Sequence, residues 1–162
     1  MSEIDAKPDD GRSETHNERA DRNWNELLQE LRVTQTGTQI LTGFLLTIPF
    51  QQRFADLDDY QKGLYLVLVV LAVLATALFV APVSLHRALF GRRLKPELVV
   101  AGGRFARAGL VVLALVMAGS AMLIFDVVLS REAGRAVGLG SIVLLVASWW
   151  VVPRLIARRA RT

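Results

Sequence analysis

The 162-residue sequence contains no cysteine. A disulfide framework, a thiolate nucleophile and a thiolate metal site are all excluded by that absence. Its two histidines, His16 and His86, match no metal-ligand spacing. No glycine-rich phosphate loop, no paired catalytic carboxylates and no Ser/His/Asp set is present. Enzymatic activity is therefore not expected, nor a cofactor or metal. The opening MSEIDAKPDDGRSETHNERADRN lacks an apolar run, so no cleaved signal peptide is expected and the first span should insert uncleaved. With low hydrophobicity and mixed charge, residues 1–23 read as a disordered cytoplasmic tail.

What the chain does have is long apolar blocks. It is 52% hydrophobic, with a mean hydropathy of +0.38, too apolar for an ordinary soluble domain of this size. Leu64–Leu85 and Ala108–Val128 each exceed the ~18 residues that mark a spanning helix. Val137–Val152 falls a little short, and its flanks can extend it. A fourth stretch, LRVTQTGTQILTGFLLTIPF, has the length but carries five threonines and two glutamines. The expected fold is all-α and polytopic. Four spans lie at about 33–52, 64–85, 108–128 and 136–153, inside a membrane domain 24–157 that precedes a basic tail 158–162. Cytoplasmic helical extensions precede the first and third spans.

Lysines and arginines fix the expected orientation. The segment up to Arg32, the middle loop around Arg87–Arg107 and the C-terminus hold fifteen of the nineteen. Those three segments should face the cytoplasm and the anionic inner leaflet. The sequence pI of about 10.1 then reflects topology, and no nucleic-acid partner is expected.

At about 100° per residue, the stripe Trp24, Leu27, Leu28, Leu31 continues into Gln35, Thr38, Gln39, Thr42 and Leu46, with Ile40, Leu41, Phe44 and Ile48 opposite. The polar face is expected to turn from lipid, either as interhelical glue or as a lining. Pro49 should leave the Leu45 carbonyl without its usual partner and bend the outer end. Tyr60 and Tyr65, and Trp149 with Trp150, read as interface residues, and His86-Arg87 as an inner anchor. Gly102-Gly103 reads as a hinge, and Ala114, Ala118 and Ala121 as a close-packing face. Asp126 opposes the helix dipole and should pair with Arg53, Arg131 or Arg135, or else attract cations at an outer mouth. Glu26 and Glu30 are expected either to remain solvated or to pair with the cytoplasmic arginines, Arg104 and Arg107 among them.

The runs LLQELRVTQTGTQILTGFLLTIPFQQRF, APVSLHRALFGRR and RFARAGL resemble an uncharacterised bacterial family of small four-span membrane proteins, a domain of unknown function. The resemblance covers about Asn23 to Val128. It implies this topology and a bacterial inner membrane, and it brings no catalytic or binding residue. Some automatic labels in that family read "sodium:proton antiporter". Carboxylate antiport needs ionisable groups near mid-membrane, whereas the one acid in the four spans, Asp126, lies about one turn from a helix end. Two functions are expected from the residues: a homo-oligomeric channel or facilitator for small ions with the first helix's polar face inward, or a non-transporting accessory or scaffold protein.

Overall fold

A computed structural model of the chain describes residues 16–89 and 95–159. Every regular element among them is helical: α1 His16–Thr47, α2 Asp59–Ala88, α3 Lys95–Val128, α4 Arg131–Val146 and α5 Val152–Arg159. Two 3-10 turns, Ile48–Phe50 and Gln52–Phe54, connect α1 to α2, and a π-helix, Ala147–Val151, separates α4 from α5. Among the described residues, three stretches are long and apolar enough to cross a membrane: Asp59–Ala88, Glu97–Val128 and Arg131–Arg159. The fourth expected span, on α1, does not stand with them. Its apolar residues are diluted by the threonines, the glutamines and a charged first half.

The helix limits correct the sequence reading in two places. α1 begins at His16, inside the stretch expected to be disordered, while residues 1–15 lie outside the described residues. The π-helix falls within the expected fourth span, and helix continues to Arg159 in the expected tail. The expected membrane-surface run LHRALFGRRLK lies partly in residues 90–94, outside the described residues. The extension Trp24–Arg32 is helical and continuous with the rest of α1. Glu97 stands in the first turn of α3, where an acid favours the helix start.

The chain divides into two compact units. The first comprises Met1–Ile40 and Ala75–Gly109, the second Leu41–Leu74 and Leu110–Thr162. In the first unit α1 buries Trp24, Leu31 and Thr38, one residue every two turns. Ala75, Phe79, Pro82 and Leu98 are buried with them. α3 is helical through the Gly102-Gly103 pair, and a Cβ at Gly102 would stand 2.8 Å from Leu27 Cδ2 and 3.1 Å from the Trp24 ring. The residue must be small so that α3 can approach α1. His86, expected as an inner anchor, stacks on Trp24, with ring centroids 5.3 Å apart and planes 15° apart.

In the second unit, Leu45, Ala72 and Val116 form one buried cluster, and Tyr65, Leu68 and Leu123 another. Ala114 and Ala118 are buried, as a close-packing face requires. Pro49 stands at the start of the first 3-10 turn, and α1 ends just before it. A proline cannot donate to the carbonyl four residues back. That carbonyl belongs to Leu45, and it accepts the Tyr65 hydroxyl at 3.0 Å. Tyr65 is thus a buried clamp on a proline-freed carbonyl rather than an interface residue.

Candidate functional site

The polar residues of α1 in the first unit have separate fates. Each threonine hydroxyl turns back on its own helix. Thr34 donates to the Glu30 carbonyl at 2.9 Å, Thr36 to Arg32 at 3.0 Å, and Thr38 to Thr34 at 2.8 Å. A threonine satisfied in this way needs neither water nor a neighbouring helix. A glutamine is too long for this, and its amide must look outward. Gln35 Nε2 donates to the Phe79 carbonyl at 2.8 Å. Pro82 removes the usual donor to the Leu78 carbonyl, so the Phe79 carbonyl that Gln35 uses is the next one along α2 and not the freed one itself.

Gln39 goes the other way. Thr38 is buried at 2% exposure, and its neighbour is turned about 100° from it, out of the packed face. Gln39 is exposed, and its amide has no partner among the described residues. The expected single polar face therefore divides: Gln35 and Thr38 point into the first unit, and Gln39 points out beside exposed Arg32 and Thr36. Thr42, in the second unit, is half-buried. Gln35→Leu should lower stability by about 0.6–1.7 kcal/mol, the range for polar contacts within membrane helices. Gln39→Leu should leave the unfolding temperature of the isolated chain unchanged. Thermal unfolding in detergent checks both, and equal losses would contradict the division.

In the second unit the chemistry gathers around Asp126. The start of α2 is a reciprocal cap. Gln61 N donates to Asp58 Oδ1 at 2.8 Å, and Asp58 N donates to Gln61 Oε1 at 3.1 Å. The other half of the same amide, Gln61 Nε2, donates to Asp126 Oδ1 at 2.6 Å. The second carboxylate oxygen of Asp126 lies 3.3 Å from Arg131 Nε. Arg131 also donates to Asp58 and sits over the Tyr60 ring, 4.1 Å from its centroid. The Gln61 backbone N–H, assisted by Arg131, holds the Asp58 carboxyl below its usual range against the opposing effect of desolvation.

This arrangement ties together the start of α2, the last turn of α3 and the first turn of α4. Asp126 near a helix C-terminus and Arg131 at a helix N-terminus each oppose a macrodipole, and each neutralises the other. A mouth acid would need an open carboxylate. The Asp126 side chain is only 2% exposed and faces Gln61 and Arg131. Of its three expected partners, Arg131 is the one used. Gly134 and Gly138, one turn apart on α4, face Asp126 and Met122 of α3 at contact distance.

The expected cytoplasmic ion pairs take another form. Glu26 pairs with Arg22, one turn back on its own helix, at 3.3 Å. Glu30 and Arg104 are exposed and unpaired among the described residues, and Arg107 Nε donates to the Gly103 carbonyl at 3.2 Å. Pairs along one helix need no tertiary ordering, and exposed pairs between helices contribute little.

A model of a "Family of unknown function (DUF6328)" matches residues 13–153. Comparison with curated proteins and with solved structures gave no match.

Proposed function

The chain belongs to this family of unknown function, DUF6328, and from that premise we propose that it is a non-catalytic scaffold or accessory protein of the inner membrane. Its task is to assemble with other protein chains. α1 supplies a fourth span, and both termini face the cytoplasm, in keeping with the charge asymmetry. The observation that carries the reading is the exposed Gln39. An amide facing hydrocarbon costs several kcal/mol unless a partner satisfies it. On a span, Gln39 together with Arg32 and Thr36 therefore calls for a protein neighbour. Gln35 and Thr38, which a water-filled lining would need, are engaged within the first unit.

A second reading has an observation of its own. The exposed line Arg32, Thr36 and Gln39 could face a shared axis in a homo-oligomeric channel for small ions. One experiment separates the two. The chain is free of cysteine, so Gln39→Cys provides a single probe. Resistance to a water-soluble thiol reagent, ready crosslinking to a neighbouring chain and no ion flux in liposomes support the scaffold. Rapid labelling that blocks a measurable flux supports the channel. Labelling by lipid-phase reagents alone refutes both.

A further inference from the structure

We propose that the groove between α3 and α4 in the second unit binds one acyl chain of an anionic phospholipid, with the headgroup phosphate held by Arg135. The groove has a volume of about 390 Å³, within the roughly 300–1,000 Å³ of small-molecule sites. Its walls are Leu115, Ala118 and Met122 of α3 and Gly138, Leu139 and Ile142 of α4. Arg135 is the only charged residue in that lining. From Arg135 to Ile142 the groove follows α4 for about 10 Å, so its charge stands at one end of an apolar slot. That is the pattern of an amphiphile with an anionic head.

The charge is also unspent. Arg131, one turn earlier, is engaged by Asp126, Asp58 and Tyr60. The Arg135 side chain has no ion pair or hydrogen bond among the described residues. A guanidinium presents paired donors that fit a phosphate in a bidentate, charge-assisted contact. In the proposed orientation Arg135 stands near the non-cytoplasmic end of α4, so the headgroup it holds belongs to the outer leaflet. A smaller groove in the same unit, lined by Leu57, Leu123 and Val127, also carries one unpaired arginine, Arg53, and serves as an internal control.

The inference rests on the membrane reading, because only there does lipid surround these helices. The full chain, purified in a nonionic detergent, is titrated with phosphatidylglycerol, with phosphatidylcholine and with inorganic phosphate, and retention is read by native mass spectrometry. Phosphatidylglycerol should bind roughly tenfold more tightly than phosphatidylcholine, as one charge-assisted contact implies. Arg135→Gln should abolish that preference, whereas Arg53→Gln should keep it. Leu139 is 69% exposed, so Leu139→Trp can block the slot without disturbing buried packing, and it should weaken both lipids. Arg135→Gln retaining the preference, or Leu139→Trp binding as the parent does, overturns the proposal. Inorganic phosphate displacing the lipid at equal concentration overturns it too. Alkaline carbonate extraction keeps the two readings apart. A chain that stays with the membrane but shows no lipid preference loses only the lipid site, whereas a chain that is released loses the membrane reading.

Discussion

Arg131→Ala is expected to lower the unfolding free energy by about 3 kcal/mol, the largest loss expected from any single charge among the described residues. The substitution strands Asp126, whose side chain is 2% exposed, with a carboxylate oxygen 3.3 Å from where the guanidinium stood. Removing one partner of a buried ion pair typically costs about 3–5 kcal/mol, because the remaining charge stays out of water. The low end applies here. Arg131 itself is 37% exposed, and Gln61 still donates to Asp126. The same change frees Asp58, whose side chain is half exposed and adds little. The double variant Arg131→Ala with Asp126→Asn should recover most of the loss, because the stranded charge is gone. Thermal or denaturant unfolding of the detergent-purified chain reads both effects. If the double variant is no more stable than Arg131→Ala, Arg131 acts through packing on Tyr60 rather than through charge.

The helices were legible in the sequence because a spanning helix is a property of a short window. Leu64–Leu85 and Ala108–Val128 needed no tertiary knowledge. The Leu45 carbonyl freed by Pro49 was also legible, because proline chemistry is local, but its rescuer was not. Tyr65 is twenty residues away, and sequence gave it the ordinary role of an interfacial tyrosine. Gln35 shows the same limit, since its acceptor is a backbone carbonyl 44 residues on, and no side-chain pattern marks a carbonyl. Asp126 could be narrowed to three arginines by side of the membrane. Choosing Arg131 required the tight turn at Ser130, which caps α4 by accepting from Ala133 N at 3.2 Å. The role of Gln61 was missed although Asp58-Asp59-Tyr60-Gln61 carries the acid-to-glutamine spacing of a capping box, which could have found half of the cluster. The packed polar face of α1 is narrower than the sequence pattern implies. Residues 38 and 39 are a quarter-turn apart, and only one can sit at the centre of a packed face.

Two glycines on α4, six residues apart, should respond to alanine with opposite signs. At Gly134 a Cβ would lie 2.7 Å from the Met122 carbonyl oxygen, 2.9 Å from Asp126 Cβ and 3.0 Å from Asp126 N. Two of these are backbone atoms of a continuous helix and cannot step aside as a flexible side chain would. Gly134→Ala must push α4 away from α3 where Asp126 is anchored, with a loss of about 1–3 kcal/mol from overpacking. The displacement also stretches the Arg131–Asp126 contact, so the two losses should not add. Around Gly140 nothing lies within 4 Å of a built Cβ. Gly140→Ala meets no atom and relieves the entropic cost of a helical glycine, a gain of up to about 1 kcal/mol. Both variants are read by unfolding of the full chain. A loss at Gly140 in the isolated protein would mean that a neighbouring chain or lipid already occupies that face. A neutral Gly134→Ala would mean that α3 and α4 do not approach as closely as the Met122 and Asp126 contacts require.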